Sequence, residues 1–81
     1  MNDSVMARVI SCLAEVFENK GIEVPNIDEN TPLDASLGLQ SLDYAELVVR
    51  LEDEFDIDPF DVPEPPQVAT VAELAALYEA A

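Results

Sequence analysis

The spacing of apolar residues near the N-terminus constrains this chain more than any other feature. Val5, Met6, Val9, Ile10, Cys12, Leu13, Val16 and Phe17 form two interleaved rows advancing by i+4, i+7 and i+11, the period of an α-helix with one apolar side. Arg8, Ser11, Glu15 and Glu18 fall on the other side, and Asn19-Lys20-Gly21 supplies a terminal cation and a left-handed stop. Such a stripe must be buried against other elements, and the rest of the chain offers helices. Ser41 to Phe55 contains neither Pro nor Gly and repeats the helical period. Thr70-Val71-Ala72-Glu73 reads as a capping box, with Thr70 as N-cap and Glu73 at N3, opening a last helix whose face is Val71, Leu74, Ala75, Leu77 and Tyr78. No stretch alternates with period two and no segment repeats, so the expected fold is all-α.

The connections are irregular. Residues 21–40 are interrupted by Pro25, Pro32 and Gly38, with polar Asp28, Glu29, Asn30, Thr31 and Asp34 between isolated apolar residues. A loop of about 20 residues in a compact domain is more often functional than idle. Ile22, Val24, Ile27, Leu33, Leu37 and Leu39 are expected to pin it to the core, with a short helical turn around Asp34 to Leu37. After Phe55, Pro59, Pro63, Pro65 and Pro66 permit one helical turn at most. Three helices and one doubtful turn then pack as a small bundle.

Composition decides what such a bundle does not do. Eighty-one residues make one domain, spanning 1–81. Eighteen Asp and Glu against Arg8, Lys20 and Arg50 give a net charge of -15, which repels a phosphate backbone or an anionic bilayer, so neither nucleic-acid binding nor membrane insertion is expected. No apolar run approaches the roughly 20 residues of a membrane span, and no secretory signal pattern opens the chain; the expected location is cytoplasmic. Cys12, the one cysteine, excludes an intrachain disulfide and lies in the apolar stripe as a structural thiol. Without His there is no Ser-His-Asp triad, imidazole catalyst or His-ligated zinc. Carboxylates adjoin one another as their density dictates, with no catalytic partner. Asp56, Asp58 and Asp61 do not form an EF-hand, because Asp61 and Gln67 stand where Gly and Glu are needed. The chain is therefore not expected to be an enzyme.

A domain this short buries only about 60% of its unfolded surface, and self-repulsion of its carboxylates weakens it further. Added salt or divalent cations are thus expected to raise its melting temperature. A melt unchanged between low and high ionic strength refutes that expectation.

At about 100° per residue, the segment from Ser41 to Phe55 divides into three sectors. Tyr44, Leu47, Val48, Leu51 and Phe55 form the core stripe; Asp43, Arg50 and Glu54 face water. Leu42, Glu46, Val49 and Asp53 form a third stripe, alternately apolar and acidic. It suits either transient docking of a basic, partly apolar partner or the edge of a wide core face. Ser41 stands where a Gly-containing loop enters this helix. It reads first as a helix cap; the same location also suits a covalently attached phosphate, which free N–H groups and the positive end of the helix would stabilise.

Thr31-Pro32-Leu33, Leu37-Gly38-Leu39-Gln40-Ser41-Leu42-Asp43, Glu46-Leu47-Val48 and Leu51-Glu52-Asp53-Glu54-Phe55 closely resemble acyl carrier proteins and the related peptidyl carrier domains. They match that family's pre-serine loop, its L-G-x-x-S-L core and its acidic second helix. Thr70-Val71 with Leu74 resembles the opening of its last helix, so the resemblance covers nearly the whole chain.

The resemblance implies a four-helix bundle with a long first loop and a short or irregular third helix. It further implies that a phosphopantetheinyl transferase attaches 4'-phosphopantetheine from coenzyme A to Ser41, the arm's thiol then carrying cargo as a thioester. Partners would be that transferase, an acyl- or aminoacyl-loading enzyme, and downstream synthases or transferases, docking through Leu42, Asp43, Glu46, Val49 and Asp53 on a monomeric carrier. A discrete acyl carrier of fatty-acid, polyketide or related specialised synthesis is the leading expectation. An aminoacyl or peptidyl carrier is the alternative, and an unmodified acidic interaction module is the rival from another class. The chain departs from the family pattern at Gln40, where an acid or His usually precedes the serine, and in its proline-broken third-helix region.

Overall fold

The computed structural model describes residues 4–80. They form three α-helices, α1 (Val5–Lys20), α2 (Ser41–Phe55) and α3 (Val71–Glu79), with a 3-10 turn at Ala35–Leu37 in the first loop. The described residues include no β-strand, only one isolated antiparallel bridge between Pro32 and Thr70. The implied third helix of a four-helix bundle is not formed within 56–69. Pro63, Pro65 and Pro66 lack the N–H donors that would propagate one, and what forms is a tight turn in which Asp58 accepts from the N–H groups of Phe60 (3.1 Å) and Asp61 (3.3 Å).

The ends of α1 are set by local chemistry. Ser4 accepts a hydrogen bond from the Ala7 N–H at 3.0 Å, satisfying one of the donors that a helix start leaves unpaired. Gly21, at φ 75°, turns the chain into the left-handed conformation, so that its N–H and that of Ile22 return to the carbonyls of Glu18 and Phe17. Val9, Cys12, Leu13, Val16 and Phe17 are buried and meet Leu47 and Leu51 of α2 and Val71, Leu74, Ala75 and Tyr78 of α3 in one core. The Phe55 and Tyr78 rings lie 4.8 Å apart between centroids. Burial pushes the Tyr78 hydroxyl up to about 12 and also raises the Cys12 thiol above its ordinary range, as suits a packing residue.

Leu39 is buried, and Val24, Ile27, Leu33 and Leu37 pack against the core, pinning the first loop as expected. Ile22 does not join them; it is 42% exposed, because it follows directly on the Gly21 turn. A backbone clip fixes the loop's far side to the start of α3. Leu33 N–H donates to Ala69 O (2.8 Å), Val71 N–H to Thr31 O (3.1 Å) and Ala72 N–H to Glu29 O (2.9 Å), so loop carbonyls occupy donors that the helix cannot satisfy internally. Thr70 caps the Glu73 N–H at 3.3 Å, and Glu73 reaches back to the N–H of Ala69 at 2.8 Å, one residue earlier than in an ordinary capping box.

The polar sides of α1 and α2 are not simply solvated. Arg8 pairs with Glu54 (2.7 Å), Lys20 with Asp43 (2.6 Å), and Arg50 with Glu15 and Glu46 (3.0 Å each). Asp43, Arg50 and Glu54, expected to face water, thus flank the apolar seam and join the two helices. Arg8 also donates to the Glu54 carbonyl at 2.9 Å and lies 4.5 Å from the Phe55 ring centroid, bringing positive charge to the negative end of α2.

Candidate functional site

The segment ahead of α2 is built to present its first residues. The Asp34 carboxylate accepts from the Ser36 N–H at 2.9 Å and from the Ser36 hydroxyl, which holds this carboxyl below its ordinary range. Leu37 N–H then closes on Asp34 O and Gly38 N–H on Ala35 O, both at 3.1 Å. Gly38, at φ 99°, reverses the chain in a conformation that side chains resist. Leu39 plunges into the core at 2% exposure, and Gln40 follows in extended backbone as the N-cap.

Ser41 is therefore the first helical residue of α2, and the cap position that the sequence suggested for it belongs to Gln40. The Gln40 N–H donates to the Asp43 carboxylate at 2.8 Å, while the N–H groups of Asp43 and Tyr44 turn back to Gln40 O at 2.9 and 3.1 Å. Helix geometry leaves the N–H groups of Ser41 and Leu42 to face whatever sits at the helix start. Ser41 is exposed.

Charge around the serine follows from Gln40 and Asp43. Asp43 is the one ionised side chain between residues 37 and 43. The Gln40 N–H and Lys20 hold its carboxyl below the ordinary range, and Lys20 offsets its charge. A neutral Gln40 adds none. An anion bonded to the Ser41 oxygen would thus meet the positive end of α2, equivalent to roughly half a unit charge, with the nearest carboxylate already paired. These residues fit a covalently held phosphate group.

Of the expected docking residues, Leu42 and Val49 are 80% and 60% exposed, unusual for large apolar side chains, and Asp53 is exposed beside them. Glu46 and Asp43 are half-buried and held by Arg50 and Lys20, with Asn19 also 3.4 Å from Glu46. These five residues divide into Leu42, Val49 and Asp53, which are exposed, and Asp43 and Glu46, which are already paired within the chain.

Wheel reasoning missed a second feature. An apolar pocket of about 210 Å³ opens between α2 and α3, lined by Leu33, Tyr44, Leu47, Val48, Phe60, Val68 and Leu74. Tyr44, Leu47, Val48 and Leu74 come from the helices and Leu33, Phe60 and Val68 from the two loops, so only the folded loops complete it. Tyr44, three residues beyond Ser41, forms one wall.

The described residues form an all-helical fold that exposes a serine at the start of α2. The comparison with known families gives it a name: residues 7–78 match the phosphopantetheine attachment site family, and the chain belongs to it. The prosthetic group of that family's acyl carrier proteins is covalently attached 4'-phosphopantetheine. The chain is 38% identical over 61 residues to an acyl carrier protein of Trieres chinensis, covering 75% of this chain and 72% of that one. It is 40% identical over 58 residues to a mitochondrial acyl carrier protein of Saccharomyces cerevisiae, covering 69% of this chain and 46% of that longer protein. No solved structure matches the chain significantly. Among the described residues, no helix is long and apolar enough to cross a membrane.

Proposed function

We propose that this chain is an acyl carrier protein that holds its 4'-phosphopantetheine on Ser41. The observation that carries the reading is the placement of Ser41, exposed at the first position of α2, with the cap supplied by Gln40 and the neighbouring Asp43 neutralised. When bound, the arm supplies a thiol that a chain with a single buried cysteine does not itself present. The chain's own residues orient the attachment oxygen and offer a docking face, while catalysis belongs to the partners: a phosphopantetheinyl transferase, a loading enzyme, and the synthases or transferases that use the cargo.

The apolar pocket favours acyl cargo over aminoacyl cargo. No charged side chain lines it, and a chain of methylene groups gains about 0.8 kcal/mol for each one buried, whereas an ammonium would lose its hydration there. Fatty-acid, polyketide or a related specialised synthesis is the proposed setting, with the protein acting as a monomer in the cytoplasm. The test is the intact mass after incubation with coenzyme A and a broad-specificity transferase. Gain of one phosphopantetheine supports the reading, and no gain with several transferases overturns it in favour of an unmodified interaction module.

Docking is proposed to use Leu42, Val49 and Asp53 directly, with Asp43 and Glu46 beside them as ion-paired positions at the edge of the face. Asp53→Lys is the clean probe, since Glu46→Lys would also place two cations together at Arg50. Asp53→Lys should keep the melting temperature at or slightly above that of the wild type, since it relieves carboxylate repulsion, and lower kcat/KM of partner enzymes by about tenfold at low salt, with the gap closing as ionic strength rises. Kinetics equal to wild type at low salt with every partner would remove Asp53 from the docking face.

A further inference from the structure

We propose that Tyr44 is a positioning residue for Ser41, tying the serine segment to the wall of the apolar pocket; this rests on the reading of Ser41 as the attachment residue. The Tyr44 hydroxyl donates to the backbone carbonyl of Asp34 at 2.8 Å. That same carbonyl accepts the Leu37 N–H at 3.1 Å, the first bond of the 3-10 turn. One oxygen thus receives both the turn's own closure and a tether from α2. A 3-10 helix of three residues has poor intrinsic bonding geometry and depends on outside support, which Tyr44 provides.

The tether encloses the site. Asp34 and Tyr44 are ten positions apart, and Gly38, Leu39, Gln40 and Ser41 lie between them, so the hydrogen bond closes a small ring of chain around the attachment residue. Within that ring Gly38 has its left-handed φ of 99° and Leu39 its buried anchor. With the tether cut, the turn keeps the Asp34 carboxylate, its own two backbone bonds and the packing of Leu37 and Leu39 but loses its hydrogen bond to α2, and Ser41 samples more than one approach direction. The ring of Tyr44 meanwhile lines the pocket with Leu47, Val48 and Phe60, so a single side chain serves both the pocket wall and the serine segment.

Tyr44→Phe separates these roles, because it keeps the ring in the pocket and removes the link to Asp34. Hydrogen exchange of the full apo chain should show the Leu37 and Gly38 amides exchanging about two- to tenfold faster, the effect of losing one hydrogen bond, while the Leu13 and Leu51 amides keep wild-type rates and establish that the fold is intact. In transferase kinetics the KM for the variant should rise about twofold or more with kcat unchanged, since a smaller fraction of molecules is competent to bind. A merely structural role would alter the melt without this split. If the wild type is modified normally, unchanged exchange at Leu37 and Gly38 or an unchanged KM overturns the role of Tyr44. If the wild type is not modified at all, the attachment reading falls and the positioning role falls with it, and the exchange rates then report the tether alone.

Discussion

Ser41→Ala should abolish modification and leave the protein as stable as the wild type. With coenzyme A and a transferase, the wild type is expected to gain one phosphopantetheine and the variant none. The two halves of this result have different physical origins. Loss of modification is complete because the substituted side chain has no oxygen to bond to phosphorus. Preservation of stability follows from the position of Ser41 as first helical residue behind Gln40. Were the serine the cap, its removal would cost about 0.5–2 kcal/mol. An exposed helical serine outside the cap changes stability by about 0.5 kcal/mol or less on replacement by Ala, or about 2–4 °C in melting temperature for a domain of this size. A large fall in melting temperature would mean that Ser41 holds the helix start after all. Modification of the variant would mean that another hydroxyl is the attachment point.

The helical cores were legible in the sequence because they depend on local periodicity alone. The row from Val5 to Phe17 joins the core, as do Tyr44, Leu47, Leu51 and Phe55, while Val48 of the same stripe lines the pocket instead; Val71, Leu74, Ala75 and Tyr78 are all buried. The wheel set Leu42 and Val49 apart from the core stripe but left open whether they edged a wide core face; their exposure became plain only with the other helices in place. Ion pairing was not legible. Arg8 and Glu54 are 46 positions apart and Arg50 and Glu15 are 35 apart, so their meeting depends on how α1 and α2 cross. The wheel placed Asp43, Arg50 and Glu54 in water; Glu54 is exposed as expected, but Asp43 and Arg50 are half-buried because the wheel shows only one helix. The cap was misplaced by one residue, from Gln40 to Ser41, because serine is a favoured cap type and glutamine is not; here the Asp43 carboxylate takes the Gln40 N–H. The pocket and the Tyr44 tether escaped notice because both require the two loops in place. The proline-rich segment was read correctly as irregular, since a missing N–H is a local property, even though the family resemblance implied a helix there.

Phe17→Ala should be as damaging to the fold as Ser41→Ala is harmless to it. α1 packs against both α2 and α3, and Phe17 is 2% exposed near the end of α1 that runs beside the start of α2, where Lys20 meets Asp43. Replacing a buried Phe with Ala typically costs about 3–5 kcal/mol, combining lost transfer free energy and the cavity left behind. A domain of 81 residues has a total stability of about 4–12 kcal/mol, and the net charge of -15 places this one toward the weak end. At about 4–8 °C per kcal/mol, the melting temperature should fall by more than about 12 °C, read by far-ultraviolet circular dichroism. Modification by a transferase should decline with the folded fraction even though Ser41 is intact, because the helix start exists only while α2 is docked on α1. Added salt should recover part of the loss by relieving carboxylate repulsion, and the recovered helicity should bring modification back in proportion. A melt within a few degrees of wild type would show that α1 does not hold the serine-bearing helix in place. Modification that continued at the wild-type rate in the unfolded variant would show that the transferase reads the local motif around Ser41 without the fold.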